Sequence, residues 1–225
     1  MRAVVLVLPG GEAESRKPHM WLAEMFLWPL ALRIARRGRR HGVAGHVLRY
    51  RYRGWNGERA DPVTDARWAL AEVRRRYGPV PVGLVGHSLG GRVAVHVADD
   101  ASVTGVVLLA PWLEEADSAR RLQGRPVLLI HGARDRHTDP MMSYRFAMDA
   151  RRTGARIGRV ELPRATHVLL RQWPAWTALT TDFLVGVLIN GQLDPATRDG
   201  AGAVGSEGLP VHLPRLLHRV LRPRS

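Results

Sequence analysis

The pentapeptide Gly86-His87-Ser88-Leu89-Gly90 sets a serine between two glycines, each two residues away, and Gly91 follows directly. A serine hydroxyl is a weak nucleophile until a base removes its proton and a third group orients that base. The glycine spacing suits a hydroxyl held on a sharp turn between a strand and a helix. Small neighbours let the two elements approach, and the turn lifts the hydroxyl above the sheet. Ser88 is therefore the candidate nucleophile. Such a site also needs two N–H donors aimed at the developing oxyanion. Leu89, next after the serine, supplies one, and Gly10 or Gly11 in the run Leu8-Pro9-Gly10-Gly11 supplies the other.

On the fold in which such a serine turn occurs, the expected chain order is serine, acid, histidine, and the later two reach the serine from the carboxyl ends of later strands. The apolar run 126–131 leads into Gly132-Ala133-Arg134-Asp135, and the run 157–162 leads into Pro163-Arg164-Ala165-Thr166-His167. Asp135 is the expected orienting acid, with Asp139 in reserve, and His167 is the expected base. His131, His137 and His87 lie nearby. His131 ends a buried strand and His87 fills the variable position of the turn, so structural roles are expected for them.

The elements that must position these groups are short and regular. Strands are expected at 3–8, 46–51, 81–86, 103–109, 126–131 and 157–162, each bounded by Gly or Pro. Helices are expected over Pro29–Arg37, with Pro29 in the first turn, and over Pro62–Tyr77, Ser88–Ala98, Pro140–Thr153 and Trp173–Leu188. Residues 110–125 leave room for one or two helical turns. Alternation of this kind implies an α/β fold: a mostly parallel six-stranded sheet with helices on both faces. That domain is expected to span 1–189. Residues 190–225 read as a Gly-, Ala- and Asp-rich linker and a basic amphipathic helix. In that helix Leu213, Leu216, Leu217, Val220 and Leu221 oppose Arg215, His218, Arg219 and Arg222.

The 225 residues are 45% hydrophobic and 24% charged, a balance for one globular domain rather than a disordered chain. The chain has no cysteine, which excludes a disulfide framework, a thiolate metal site and a cysteine nucleophile. The longest uncharged apolar runs, Met25–Leu32 among them, fall far short of the roughly 20 residues a spanning helix needs. No transmembrane segment is expected. The run Val4–Leu8 is too short for a signal peptide, so a cytoplasmic location is expected. The net charge is +14, and Lys17 is the one lysine among 34 basic residues. The arginines are spread along the chain with no zinc finger, helix-turn-helix or aromatic RNA-binding pattern beside them. They read as a solvated basic surface with no specific nucleic-acid partner.

Taken together, LPGG after the first strand, GHSLGG at the turn, HGARD after the penultimate strand and ATH after the last resemble the α/β-hydrolase superfamily over about residues 3–189. RYRGWN (Arg51 to Asn56), DPVTDARWAL and LLAPW (Leu108 to Trp112) are similar to small, arginine-rich bacterial hydrolases of the dienelactone-hydrolase and serine-aminopeptidase-like branches. Dienelactone hydrolases use a cysteine where this chain has Ser88, which speaks against their substrate. Larger members of the superfamily carry a helical lid after the strand that here ends near Leu109, and the chain aligns from about the third of their strands. Residues 110–125 are too few for a large lid. The resemblance implies a shallow pocket roofed by Trp112, Trp55 and the Met20–Trp28 segment, with Arg53 near its mouth to meet an anionic group. It implies a serine hydrolase that cleaves a carboxylic ester or related acyl bond of a small molecule through an acyl-enzyme. Neither a metal nor an organic cofactor is needed for that reaction. A noncatalytic binding protein of the same fold is the alternative.

Overall fold

The computed structural model describes residues 1–18, 21–169 and 172–190. The linker and basic helix expected over 190–225 lie outside the described residues, save Asn190, which ends the last helix. Six runs rich in Val and Leu form one sheet: β1 (Ala3–Leu8), β2 (Val43–Val47), β3 (Val82–His87), β4 (Val103–Leu109), β5 (Pro126–Gly132) and β6 (Arg156–Leu162). Their order is β2-β1-β3-β4-β5-β6, and every neighbouring pair is parallel. β1, β3 and β5 are buried at every position, which requires cover on both faces.

Helices α1 (Trp21–Gly38), α2 (Asp61–Tyr77), α3 (Leu89–Val97), α4 (Pro140–Arg152) and α5 (Trp173–Asn190) provide that cover. The side chains of a strand alternate between faces, so Leu6, Leu84, Leu108 and Leu129 meet α2, α3 and α4 on one side. Val5, Val85, Val107 and Ile130 meet Leu30 and Ile34 of α1 and Trp176 and Phe183 of α5 on the other. The strand order reverses between β1 and β3, where the carboxyl ends of two adjacent strands open a crevice. The glycine loop after β1 and the serine turn after β3 both border that crevice.

Two elements depart from the expected pattern. β2 runs over 43–47 and not 46–51: Leu48 still donates its N–H to Val7 at 2.8 Å, and then the chain leaves the sheet. By Arg51 the backbone N–H is bonded to Asp65 Oδ2 of α2 at 2.9 Å, so α2 captures what a strand partner would have held. α1 begins at Trp21, and Pro29 sits inside it instead of in its first turn. A proline there leaves the carbonyl four residues earlier, that of Met25, without its helical donor. Both residues lie on the exposed side, where the freed carbonyl is not shut away from solvent. Residues 110–125 hold one short 3-10 turn, Ala119–Leu122, and no lid helix. Among the described residues, no helix is long and apolar enough to cross a membrane.

Candidate active site

β3 stops at His87 and α3 starts at Leu89, which leaves Ser88 alone in the turn with φ 53° and ψ −119°. A positive φ is costly for a residue with a side chain and persists only where packing enforces it. The neighbouring glycines show that enforcement. A Cβ on Gly86 would collide with the Gly90 carbonyl, one on Gly90 with the Leu8 carbonyl, and one on Gly91 would come 2.7 Å from Pro111 Cβ. The serine carbonyl accepts N–H bonds from Gly91 at 2.9 Å and Trp112 at 3.0 Å, and this fixes the turn from both sides.

The loops after β5 and β6 are joined. Arg134 N–H donates to Ala165 O at 3.0 Å, and a Cβ on Gly132 would strike the same carbonyl. That closeness brings Asp135 to His167, whose Nδ1 donates to Asp135 Oδ2 at 2.8 Å. The Asp135 side chain is fully buried. Its Oδ2 also accepts the Thr138 hydroxyl at 2.8 Å and lies 3.2 Å from His131 Nε2. Its Oδ1 accepts the N–H groups of His137 at 2.8 Å and Thr138 at 3.1 Å. Burial opposes ionisation of this carboxyl. The bonds from His131, His167 and the two backbone donors outweigh it and hold the group well below the usual carboxylate range. An ionised carboxylate only accepts, so the His167 Nδ1 carries the proton and its Nε2 is left with a basic lone pair.

Ser88 and His167 line one open cavity of about 520 Å³, together with Gly10, Gly11, Phe26 and Trp112. Among the described residues the Ser88 hydroxyl has no hydrogen-bond partner, so the serine and the imidazole share the cavity without being joined. The N–H groups of Leu89, Gly10 and Gly11 likewise have no acceptor among the described residues. Leu89 opens α3, where helix N–H groups and the helix dipole favour negative charge. A Cβ on Gly10 would lie 3.4 Å from Ser88 Cβ, and one on Gly11 would collide with the Arg53 carbonyl. A side chain at Gly10 would be a tight fit against the serine turn, and one at Gly11 is excluded by the Arg53 carbonyl.

The remaining expected contacts divide. Trp112 lines the cavity, whereas Trp55 is buried behind it, edge-on to Trp112 with ring centres 6.3 Å apart. Arg53 is turned to the loop after β1, where it donates to Glu12 at 3.2 Å and to Ser15 at 3.1 Å, and it does not line the cavity. Of the expected roof segment, Phe26 reaches the cavity, Trp28 is 58% exposed on the outer side of α1, and Met20 is outside the described residues.

Three further residues act on the site without having been singled out for it. Thr138 bonds Asp135 through both hydroxyl and backbone. His131 faces the same carboxylate oxygen as His167. His87 donates Nε2–H to the His167 carbonyl at 3.0 Å, tying the histidine loop to the serine turn. Burial, with His167 close by, pushes His87 down to about 4, so it is neutral at pH 7. Sequence hinted at Thr138 and His131 only through their spacing from Asp135, three residues after and four before. Nothing in the sequence marked the bond from His87, which spans 80 positions.

Comparison with known proteins agrees with the fold. The model of a family described as "Alpha/beta hydrolase family" matches residues 4–223. No curated protein sequence matches the chain significantly. Among solved structures, a putative alpha/beta hydrolase of unknown function from Agrobacterium tumefaciens superposes with a TM-score of 0.65 at 18% identity, covering 86% of this chain and 88% of that one. MGS-M1, an alpha/beta hydrolase enzyme from a Medee basin deep-sea metagenome library, gives 0.64 at 16% identity, with 84% and 85% covered. The Pyrococcus furiosus esterase Pf2001 gives 0.59 at 15% identity, with 81% and 80% covered. At these identities the likeness is one of fold.

Proposed function

The chain belongs to the alpha/beta hydrolase family, and from that premise we propose that it is a lid-poor serine hydrolase that cleaves carboxylic esters of small molecules. The observation that carries the reading is the 2.8 Å bond from His167 Nδ1 to a buried, ionised Asp135, with Ser88 held at positive φ in the same cavity. Ser88 Oγ attacks the acyl carbonyl while His167 Nε2 takes its proton. The oxyanion is received by the N–H of Leu89 with that of Gly10 or Gly11. His167 then returns the proton to the leaving alkoxide oxygen. Water, deprotonated by the same imidazole, attacks the acyl-enzyme and releases the carboxylic acid and Ser88. Asp135 remains ionised throughout and holds the tautomer. Phe26, Trp112 and Val168 give the cavity apolar walls suited to a short acyl chain.

The unjoined Ser88 hydroxyl favours a second reading, a noncatalytic binding protein of the same fold. Catalytic hydrogen bonds are often long before substrate binds, which is why the first reading is preferred. A panel of p-nitrophenyl esters of increasing chain length, given to wild type and Ser88→Ala, separates the two. The proposal expects turnover by wild type and a loss of at least about 10³-fold in the variant. Equal rates for the two proteins, or no turnover by wild type, would overturn it.

A further inference from the structure

RYRGWN, GHSLGGR and LLAPW lie far apart in the sequence, but the fold brings one residue of each to a single point. Arg92, on the first turn of α3 four residues beyond Ser88, is buried, with 7% of its side chain exposed. Its guanidinium sits 4.1 Å from the ring centre of Trp55 and 4.8 Å from that of Trp112, and the two rings are inclined at 75°. The cation fills the corner between two aromatic faces, where a desolvated guanidinium gains most from ring electrons. Its edge is held as well. Nε donates to Asp117 Oδ1 at 3.0 Å and Nη2 to Glu114 Oε2 at 2.6 Å.

Asp117 is itself fixed. Its Oδ1 accepts from His96 Nε2 at 2.8 Å and its Oδ2 from the Glu114 N–H at 2.8 Å. His96 also packs edge-on to Trp55 at 5.0 Å. This buried charge is matched by carboxylates, and the planar guanidinium can serve two rings and two acids at once. The assembly spans α3, the RYRGWN loop and the loop after β4. Its aromatic link to the candidate active site is Trp112, which bonds the Ser88 carbonyl through its backbone and lines the cavity.

We propose that Arg92 is a positioning residue for substrate selection: it fixes the Trp112 ring as the acyl-side wall of the cavity and so limits the length of the acyl group accepted. This rests on the hydrolase reading above. Arg92 is not among the residues that line the cavity. Its removal frees the wall and leaves the serine, histidine and aspartate in place.

Two measurements on the full chain test it. In the first, wild type, Arg92→Met and Arg92→Lys are labelled with 5-fluorotryptophan, and the Trp112 resonance is assigned by its loss in Trp112→Phe. The fluorine signal of Trp112 is expected to shift and broaden in Arg92→Met and to return towards wild type in Arg92→Lys. In the second, kcat and KM are measured for p-nitrophenyl acetate, butyrate and octanoate. Arg92→Met is expected to lower the wild-type preference for short over long esters about tenfold through KM, with kcat for acetate within about threefold; Arg92→Lys recovers part of the preference. Should Arg92→Met fail to fold, Trp55→Phe, which shortens one wall of the corner, is expected to move both readouts in the same direction. An unchanged Trp112 signal, or a moved signal with an unchanged length profile, overturns the proposal. So does an equal loss on all three esters, which is what mere destabilisation would give. If wild type turns over no ester, the hydrolase reading fails and the selection role with it, while the fluorine measurement still decides whether Arg92 holds Trp112.

Discussion

Acidification from pH 7 to pH 4.5 is expected to weaken the fold through His87. The imidazole is buried between the serine turn and the histidine loop, and burial, with His167 beside it, pushes it down to about 4 from an ordinary 6.5. Protons therefore prefer the unfolded chain between those values. The stability contributed by neutral His87 is complete above about pH 6.5, is lost as the pH falls, and declines no further below about pH 4. With one pKa unit worth about 1.4 kcal/mol, the loss by pH 4.5 is roughly 2 to 3 kcal/mol. That is a sizeable fraction of the typical stability of a domain. His87→Gln keeps a donor in reach of the His167 carbonyl and removes the titration. Urea unfolding of both proteins at half-unit pH steps measures the difference. The wild-type curve is expected to fall more steeply than that of the variant between pH 6.5 and 4.5, by the stated amount. Parallel curves would refute the assignment of a buried neutral imidazole at this position.

Other perturbations act on the chemistry itself. Asp135→Asn replaces an acceptor-only carboxylate by an amide that can present a donor to His167 Nδ1 and stabilise the wrong tautomer. Ester kcat is expected to fall by about 10³ to 10⁴ with KM little changed, as steady-state kinetics would show. Thr138→Val removes the 2.8 Å hydroxyl bond to the same oxygen. A loss of about 1 kcal/mol in urea unfolding and a smaller fall in kcat than for Asp135→Asn are expected. Gly11→Ala sets a methyl against the Arg53 carbonyl and displaces the loop after β1. If that loop carries an oxyanion donor, kcat falls about 10²-fold or more, and unchanged turnover would remove the loop from the proposed cycle.

Much of the arrangement was legible because it is local. The glycines around Ser88 are dictated by backbone contacts within a few residues, and Asp135 and His167 each follow directly from the strand that delivers them. What was not legible comes from contacts between distant segments. Residues 46–51 read as a strand because they form a short Val- and Leu-containing run after Gly45, and Leu48 and Tyr50 are indeed buried, but Asp65 of α2 and not a neighbouring strand takes the Arg51 N–H. Pro29 read as a helix start because its ring suits a first turn. The exposed position of Met25 and Pro29 lets α1 run through it. Arg53 and Trp55 were expected at the cavity on the strength of their motif. The same motif instead ties the loop after β1 through Arg53 and backs Trp112 through Trp55 and Arg92.

The central claim, that Ser88 is a nucleophile activated by His167, is tested most directly by a reactive fluorophosphonate and intact-protein mass spectrometry. One adduct per chain is expected, mapped to Ser88 by peptide analysis, absent from Ser88→Ala and formed at least about 10²-fold more slowly in His167→Ala. No adduct, an adduct at another residue, or equal labelling rates in His167→Ala and wild type would contradict it.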